Sequence, residues 1–412
     1  MSGDTLAILV GGGPAPGING VIASATIEAI NSGLRVVGLY DGYRHIAQGK
    51  SDRTVELTLD AVETVHVRGG SILRTSRTNP AKDEATLRNC VNALEALNVR
   101  YLVAIGGDDT TYGATQIAKM TEGKIGVATV PKTIDNDLPL PENAPTFGFE
   151  TARSVGTNIV ESLLEDARTT ERWYIVISMG RKSGALALGM CKSAGAALAV
   201  IPEEFPDGNI DLSLVVDAIA GSIIKRKAMG HNNGVAIVAE GIAERLSPEQ
   251  LERFQGVTRD SYGHIRLADV PLGAVLRDAL RDRLKELNVD TGVVPKDIGY
   301  ELRCAKPVPF DVEYTRTLGY GAVRYLLEGG SGSLIALSGG RVTPVTLEQL
   351  QDPQTGRVRV RMVDTGTESY RVGRYYQTRI EKSDLEGEAL RKIAAQTNLS
   401  PETFAERFSK IP

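Results

Sequence analysis

Most of the side chains able to act as acids, bases or ligands in a common site are gathered in two short segments. Gly106-Gly107-Asp108-Asp109-Thr110 follows the apolar run Tyr101-Leu102-Val103-Ala104-Ile105. Pro131-Lys132-Thr133-Ile134-Asp135-Asn136-Asp137 follows Ile125-Gly126-Val127-Ala128-Thr129-Val130. Each run reads as a buried strand that delivers acidic residues to its carboxyl end, where open parallel sheets bind ligands. Carboxylates, a lysine and a glycine pair at that place suit phosphoryl transfer, since a metal can be held, a hydroxyl deprotonated and a phosphate approached by backbone. Asp135 and Asp137 point to one face of an extended chain, so one can take a proton while the other binds metal or orients the first. Lys132 would set positive charge beside the transferring group, and Asp108 suits a Mg²⁺ ion bridging phosphate oxygens. Two plainer readings stand beside these: helix capping by Asp108, Asp109 or Thr110, and a polar turn before Pro139. Capping needs one residue, however, and a turn needs neither the lysine nor two aspartates.

Three further segments sit at predicted strand ends. Gly11-Gly12-Gly13-Pro14-Ala15-Pro16-Gly17-Ile18-Asn19 lies between a strand and a helix. It is either a tight turn or a cradle whose N–H groups face an anion. It lacks the pattern of a dinucleotide fingerprint and the Gly-Lys-Ser/Thr end of a Walker loop. Ser178-Met179-Gly180-Arg181 and Tyr300-Glu301-Leu302-Arg303 place arginines where bidentate phosphate binding is favoured. Arg68, Arg74 and Arg77 surround another glycine pair, Gly69-Gly70.

The elements that must position these residues alternate between strand-like and helix-like patterns. Strands are predicted at 6–10, 35–40, 101–105, 125–130, 173–178, 197–201 and 234–239. Helices are predicted at 19–31, 86–97, 111–120, 184–193 and 211–229. This rhythm argues for doubly wound α/β architecture: two Rossmann-like lobes with mostly parallel sheets and an active-site cleft between them. The proline-rich stretch from Pro139 to Pro145 suggests the boundary. The expected lobes are 1–138, completed by about 305–412, and 139–304. Val358 to Val363 reads as an edge strand, and Ser383 to Thr397 as an amphipathic helix capped by Ser383.

Composition narrows the class. The 412 residues are 42% hydrophobic and 24% charged, with a net charge of −4. That is an ordinary globular balance, and it gives no support for nucleic-acid or membrane partners. The three cysteines, Cys90, Cys191 and Cys304, are isolated and read as reduced core thiols of a cytoplasmic protein. The four histidines are scattered, without a metal-ligand spacing. Met1-Ser2-Gly3-Asp4 lacks the basic start of a secretory signal, and no stretch is apolar for long enough to span a bilayer.

Taken together, the segments resemble the phosphofructokinase family, and specifically its pyrophosphate-dependent branch. The match runs from residue 6 to about 340, with seven motifs in order: GGPAPGIN (12–19), RGGSILRTSR (68–77), GGDDT, PKTIDND, SMGR, AEG (239–241) and GYELR (299–303). The resemblance implies reversible transfer of a phosphoryl group from pyrophosphate to the 1-hydroxyl of fructose 6-phosphate, with Mg²⁺. By the same resemblance Asp135 is the general base, assisted by Lys132 and Asp109, and Asp108 binds the metal. Gly12, Arg77 and Lys132 face the donor. Thr133, Asp135, Asp137, Met179, Gly180, Arg181, Glu240, Tyr300 and Arg303 line the sugar-phosphate site. Arg172 matches an arginine that the family supplies from a neighbouring subunit, which implies a homo-oligomer, a dimer before a tetramer. The family's second such arginine has no clear match, and Lys296 and Arg266 are the nearest substitutes.

ATP-dependent members usually carry glycine at the positions of Asp109 and Lys132. A carboxylate at 109 would lie where the α-phosphate of ATP goes, and two like charges in a partly desolvated cleft cost on the order of several kcal/mol. Pyrophosphate ends before that point. The alternatives are an ATP-dependent or mixed-donor phosphofructokinase, a glycine–aspartate kinase acting on NAD or a lipid, and a non-catalytic sugar-phosphate-binding subunit. Asp109 and Lys132 argue against the first, PKTIDND and GYELR against the second, and the presence of Asp108 and Asp135 against the third. The departures from the family pattern are Pro14 in place of a common aspartate, Arg74 in place of a small residue, and Tyr300 where many relatives have histidine.

Overall fold

A computed structural model describes residues 3–247, 250, 270–354 and 358–412. Arg266 lies outside the described residues. The chain divides into two α/β units, one of residues 1–152 and 300–361, the other of residues 153–299 and 362–412.

The first unit is built on a seven-stranded sheet. Its strands are β1 (Thr5–Val10), β2 (Arg35–Leu39), β3 (Thr54–Glu56), β4 (Val99–Gly106), β5 (Gly126–Pro131), and two from the later segment that become β10 (Ser333–Ser338) and β11 (Arg341–Thr346). Their order is β11-β10-β5-β4-β1-β2-β3, and only the two outermost pairs are antiparallel. The central strands are buried on both faces, which explains their unbroken apolar runs. One face packs on helices Glu84–Ala96 and Asp108–Met120 through Leu87, Cys90, Leu94, Ala114 and Ile117. Leu138 and Leu140 form a second, small core with Leu334, Ala336, Val345 and Leu350 from the hairpin and the turn after it.

The second unit has four parallel strands in the order β7-β8-β6-β9: β6 (Arg172–Ser178), β7 (Leu198–Val200), β8 (Gly234–Ala239) and β9 (Gly292–Ile298). Pro295 in β9 is tolerated because β9 is an edge. Helices Leu212–Ala228 and Leu272–Glu286 cover the sheet, and the last helices of the chain bring Ile393, Phe404 and Phe408 into the same core.

The structure departs from the sequence expectations at five places. The division falls inside helix Phe149–Thr170 rather than at Pro139, because residues 139–152 are tied to the first unit: Leu140 joins its small core, and Asp311 binds Gly148 and Thr151. The chain after residue 361 belongs to the second unit, whose core needs its apolar side chains. Val358–Val363 forms no strand; Val358 makes a single bridge with Gln351, while Arg359 donates to Gln349 O and Arg361 to Ala144 O. The amphipathic segment near 383 is broken. A 3₁₀ turn at Lys382–Leu385 precedes helix Gly387–Ala394, whose cap is Glu386 rather than Ser383. Cys90 and Cys191 are buried as expected, whereas Cys304 is exposed. No described helix is long and apolar enough to cross a membrane.

Candidate active site

In the first unit the sheet register brings three loops together. Val10 of β1 lies opposite Ile105 of β4, and Gly106 of β4 lies opposite Pro131 of β5. The glycine loop, the GGDDT segment and the PKTIDND segment therefore leave adjacent strand ends. Further hydrogen bonds join them: Gly11 N–H donates to Ile105 O (2.9 Å) and Lys132 N–H to Gly106 O (3.0 Å).

Lys132 runs back beneath the glycine loop, and its Nζ donates to the carbonyl of Gly13. Only 5% of this lysine is exposed. Burial pulls its pKa down to about 8; Asp135 opposes the shift, and the cations Arg303 and Arg77 add to it. At Gly12 (φ +80°) the backbone is left-handed, and a Cβ would stand 3.3 Å from Lys132 Nζ. Thr75 Oγ1 donates to Gly12 O at 2.6 Å, and Gly12 N–H to Ser76 O at 2.9 Å, so the RTSR segment fixes the loop's conformation. Asn19 fixes the other end of that segment, donating to Arg68 O and Gly69 O and accepting from Ile72 N–H. A Cβ on Gly13 would come within 3.0 Å of Arg303 Nη1, which places GYELR against the same loop. The guanidinium of Arg303 lies over the Tyr300 ring at 4.5 Å, and its Nε is buried without a hydrogen-bond partner. Arg74 turns aside to Asp41 (3.8 Å) and the face of Tyr40.

Asp108 and Asp109 occupy the first turn of helix Asp108–Met120, where the helix dipole favours negative charge. No group of three or more metal-ligating side chains occurs among the described residues. This donor set fits a Mg²⁺-type ion, which is held by one or two carboxylates and completes its shell with phosphate oxygens and water. In the next loop Asp135 N–H donates to Thr133 Oγ1 at 3.0 Å, and Thr146 Oγ1 to Thr133 O at 2.7 Å. Asn136, between the two aspartates, is left-handed (φ 56°). Its carbonyl accepts from Arg361 Nε at 2.9 Å, and its side-chain oxygen accepts from Arg361 Nη2 and from Thr146 N–H.

In the second unit β6, β8 and β9 end side by side, with Ser178 opposite both Ala239 and Ile298. Met179 N–H continues the ladder to Ile298 O at 3.0 Å, and Glu240 N–H to Ser178 O at 2.9 Å. The Glu240 carboxylate accepts from the N–H groups of Gly180 and Arg181, both at 3.1 Å. Arg181 is held at φ 41°, an uncommon conformation that the Glu240 contact helps to maintain. Gly241 permits the turn's close approach: a Cβ there would meet Arg181 O at 2.1 Å. Met179, Gly180, Arg181 and Glu240 thus form one cluster. Arg172 does not join it, since it begins β6 while Met179 follows its end, roughly 23 Å away along the strand.

Residues 5–326 match the family model described as phosphofructokinase, and the chain belongs to that family. It is 52% identical to a pyrophosphate–fructose 6-phosphate 1-phosphotransferase of Thermotoga maritima over 98% of each chain. It is 47% identical to a protein of the same name from Naegleria fowleri, over 99% of this chain and 95% of that one. Among solved structures it resembles a pyrophosphate-dependent phosphofructokinase from Marinobacter aquaeolei, with a TM-score of 0.68 at 16% identity, over 95% of this chain and 91% of that one.

Thr75, Thr146 and Arg361 carry no chemical signature in the sequence. Thr75 is inside a recognised motif. For Arg361 the only trace in the sequence is the alternation of basic and apolar residues, a pattern that reads as an edge strand.

Proposed function

We propose that this enzyme transfers a phosphoryl group reversibly from pyrophosphate to the 1-hydroxyl of fructose 6-phosphate. The observation that carries the reading is buried Lys132 beneath the glycine loop, with Asp135 and Asp137 beyond it and Asp108 and Asp109 on the adjacent strand end. The near full-length likeness to relatives of that name supports it. Asp135 takes the proton of the 1-hydroxyl as its oxygen bonds to phosphorus; the bond from phosphorus to the bridging oxygen breaks, and phosphate leaves. Lys132 places charge on the donor oxygens, and the backbone of Gly12, with Arg77, faces the donor. Asp108 would hold Mg²⁺, assisted by the substrate phosphates; when bound, the ion neutralises charge that develops on the transferring group. Asp109 excludes a longer nucleotide donor. Thr133, Asp137, Met179, Gly180, Arg181, Glu240, Tyr300 and Arg303 bind the sugar phosphate. Arg172 joins them from a neighbouring subunit of a homo-oligomer, a dimer first. The lobe carrying Gly12 and Lys132 binds the donor, and the enzyme works in the cytoplasm. Pyrophosphate and phosphate exchange in one donor site, so both directions run.

Initial rates with fructose 6-phosphate and Mg²⁺, comparing pyrophosphate with ATP at matched concentrations, test this. Turnover with pyrophosphate alone supports it. Comparable turnover with ATP would overturn the donor assignment.

A further inference from the structure

We propose that Arg361 is a positioning residue for the phosphoryl-transfer loop, holding Asp135 and Asp137 in register from a part of the chain that lies beyond the family match, which ends at residue 326. The inference rests on the phosphotransferase reading of that loop.

All three guanidinium nitrogens of Arg361 are used, two on Asn136 and one on Ala144. Nε donates to Asn136 O at 2.9 Å, Nη1 to Ala144 O at 2.8 Å, and Nη2 to Asn136 Oδ1. The backbone N–H of Arg361 donates to Asp137 O at 2.7 Å. Four donors from one residue thus converge on the backbone and side chain of Asn136, on the carbonyl of Asp137 and on the returning chain at Ala144. Asn136 sits in the left-handed region there, so the directions of its neighbours Asp135 and Asp137 follow from its two backbone angles. Thr133 Oγ1 constrains the loop from the other side through Asp135 N–H.

The guanidinium is largely desolvated, which lowers its pKa, and nearby Asp137 opposes that shift. A planar fork matches three acceptors in fixed directions, whereas an ammonium offers charge without that geometry. The segment that carries it is anchored: Val358 packs on the small core of Leu138, Leu140, Leu334, Val345 and Leu350, and Arg359 N–H donates to Leu350 O at 2.9 Å. The hairpin and the extended segment after it thereby brace the catalytic turn from below. A displacement of about 1 Å in a reacting group can cost 10²-fold in rate, so loss of this brace should appear in turnover.

The test compares Arg361→Ala and Arg361→Lys with wild type, at saturating substrates, in whichever donor the wild type uses. The expected result for Arg361→Ala is a kcat lower by about 10²-fold, with KM for the donor changed by less than about threefold, as for a residue that touches no substrate. Arg361→Lys should recover little of that rate. Millimolar guanidinium should restore part of the Arg361→Ala rate, and methylammonium should not. Wild-type kcat in folded Arg361→Ala would overturn the inference, as would full activity in Arg361→Lys. A fall in thermal stability with unchanged turnover would also overturn it. If Arg361→Ala does not fold, Arg361→Lys decides alone. Each rate is a ratio to wild type with an accepted donor, so failure of this inference is separable from failure of the pyrophosphate reading, which the wild type alone reveals.

Discussion

Lys132 illustrates how much one buried side chain can decide. It is charged at neutral pH despite burial, with a pKa lowered to about 8. If Lys132 serves the donor as proposed, the free enzyme loses that charge as pH rises through this value. The expected profile of kcat/KM for pyrophosphate falls about tenfold per pH unit above about 8, and Lys132→Arg removes that limb even if its plateau is lower. The linkage has the opposite sign for stability. Between about 8 and the ordinary value of 10.5, the unfolded chain binds a proton at this lysine that the folded protein has released. The contribution of this group to folding stability thus rises with pH over that window, and denaturant titrations at both ends, compared with Lys132→Met, would detect it. An absent limb in the rate profile would mean that Lys132 stays protonated or does not serve the donor.

At the scale of elements, the site exists because strands stop in register. β4 and β5 pair through Gly106 and Pro131, and the next residues of each are those proposed to carry the chemistry. The helices are aimed by buried polar groups. Asp311, fully buried in helix Pro309–Leu327, accepts from Gly148 N–H (2.7 Å), Thr151 N–H (2.8 Å) and Thr151 Oγ1 (2.5 Å). It thereby caps helix Phe149–Thr170, which directly follows the loop bearing Thr146 and Phe147. Burial pushes the Asp311 carboxyl pKa up, and the three donors resist this. Asp311→Asn should destabilise the protein by on the order of 3 kcal/mol, because an amide nitrogen would face N–H donors. Chemical denaturation measures this directly, and a change below about 0.5 kcal/mol would show that the cap is dispensable. None of this was legible in the sequence, where Asp311 is one acidic residue in an ordinary helical pattern.

At the scale of the whole molecule, Arg172 raises the question of the second copy. It stands at the opposite end of β6 from the Met179–Arg181 turn, so the part proposed for it beside that turn would have to be played from another subunit. Mixing two inactive variants, Arg172→Ala and Asp135→Ala, and allowing subunits to exchange should restore activity. Random pairing in a two-fold dimer puts one intact site in half of the molecules, about a quarter of wild-type activity. No recovery from demonstrably exchanged subunits would remove Arg172 from the shared site.

The family and the places of its motifs at strand ends were legible in the order of residues alone. Apolar runs ending in GGDDT, PKTIDND, SMGR and the glycine loop predicted buried parallel strands with functional ends, because strand burial and loop chemistry are both short-range properties of the chain. Tertiary structure alone decided what holds those ends. The brace of Arg361 on Asn136 spans 225 positions, and the cap of Asp311 on Thr151 spans 160. Such contacts satisfy buried carbonyls and N–H groups wherever folding happens to leave them, so they have no periodicity to read. The same reason sent the end of the chain to the second unit: Ile393, Phe404 and Phe408 fill space in a core whose other walls are far away in sequence.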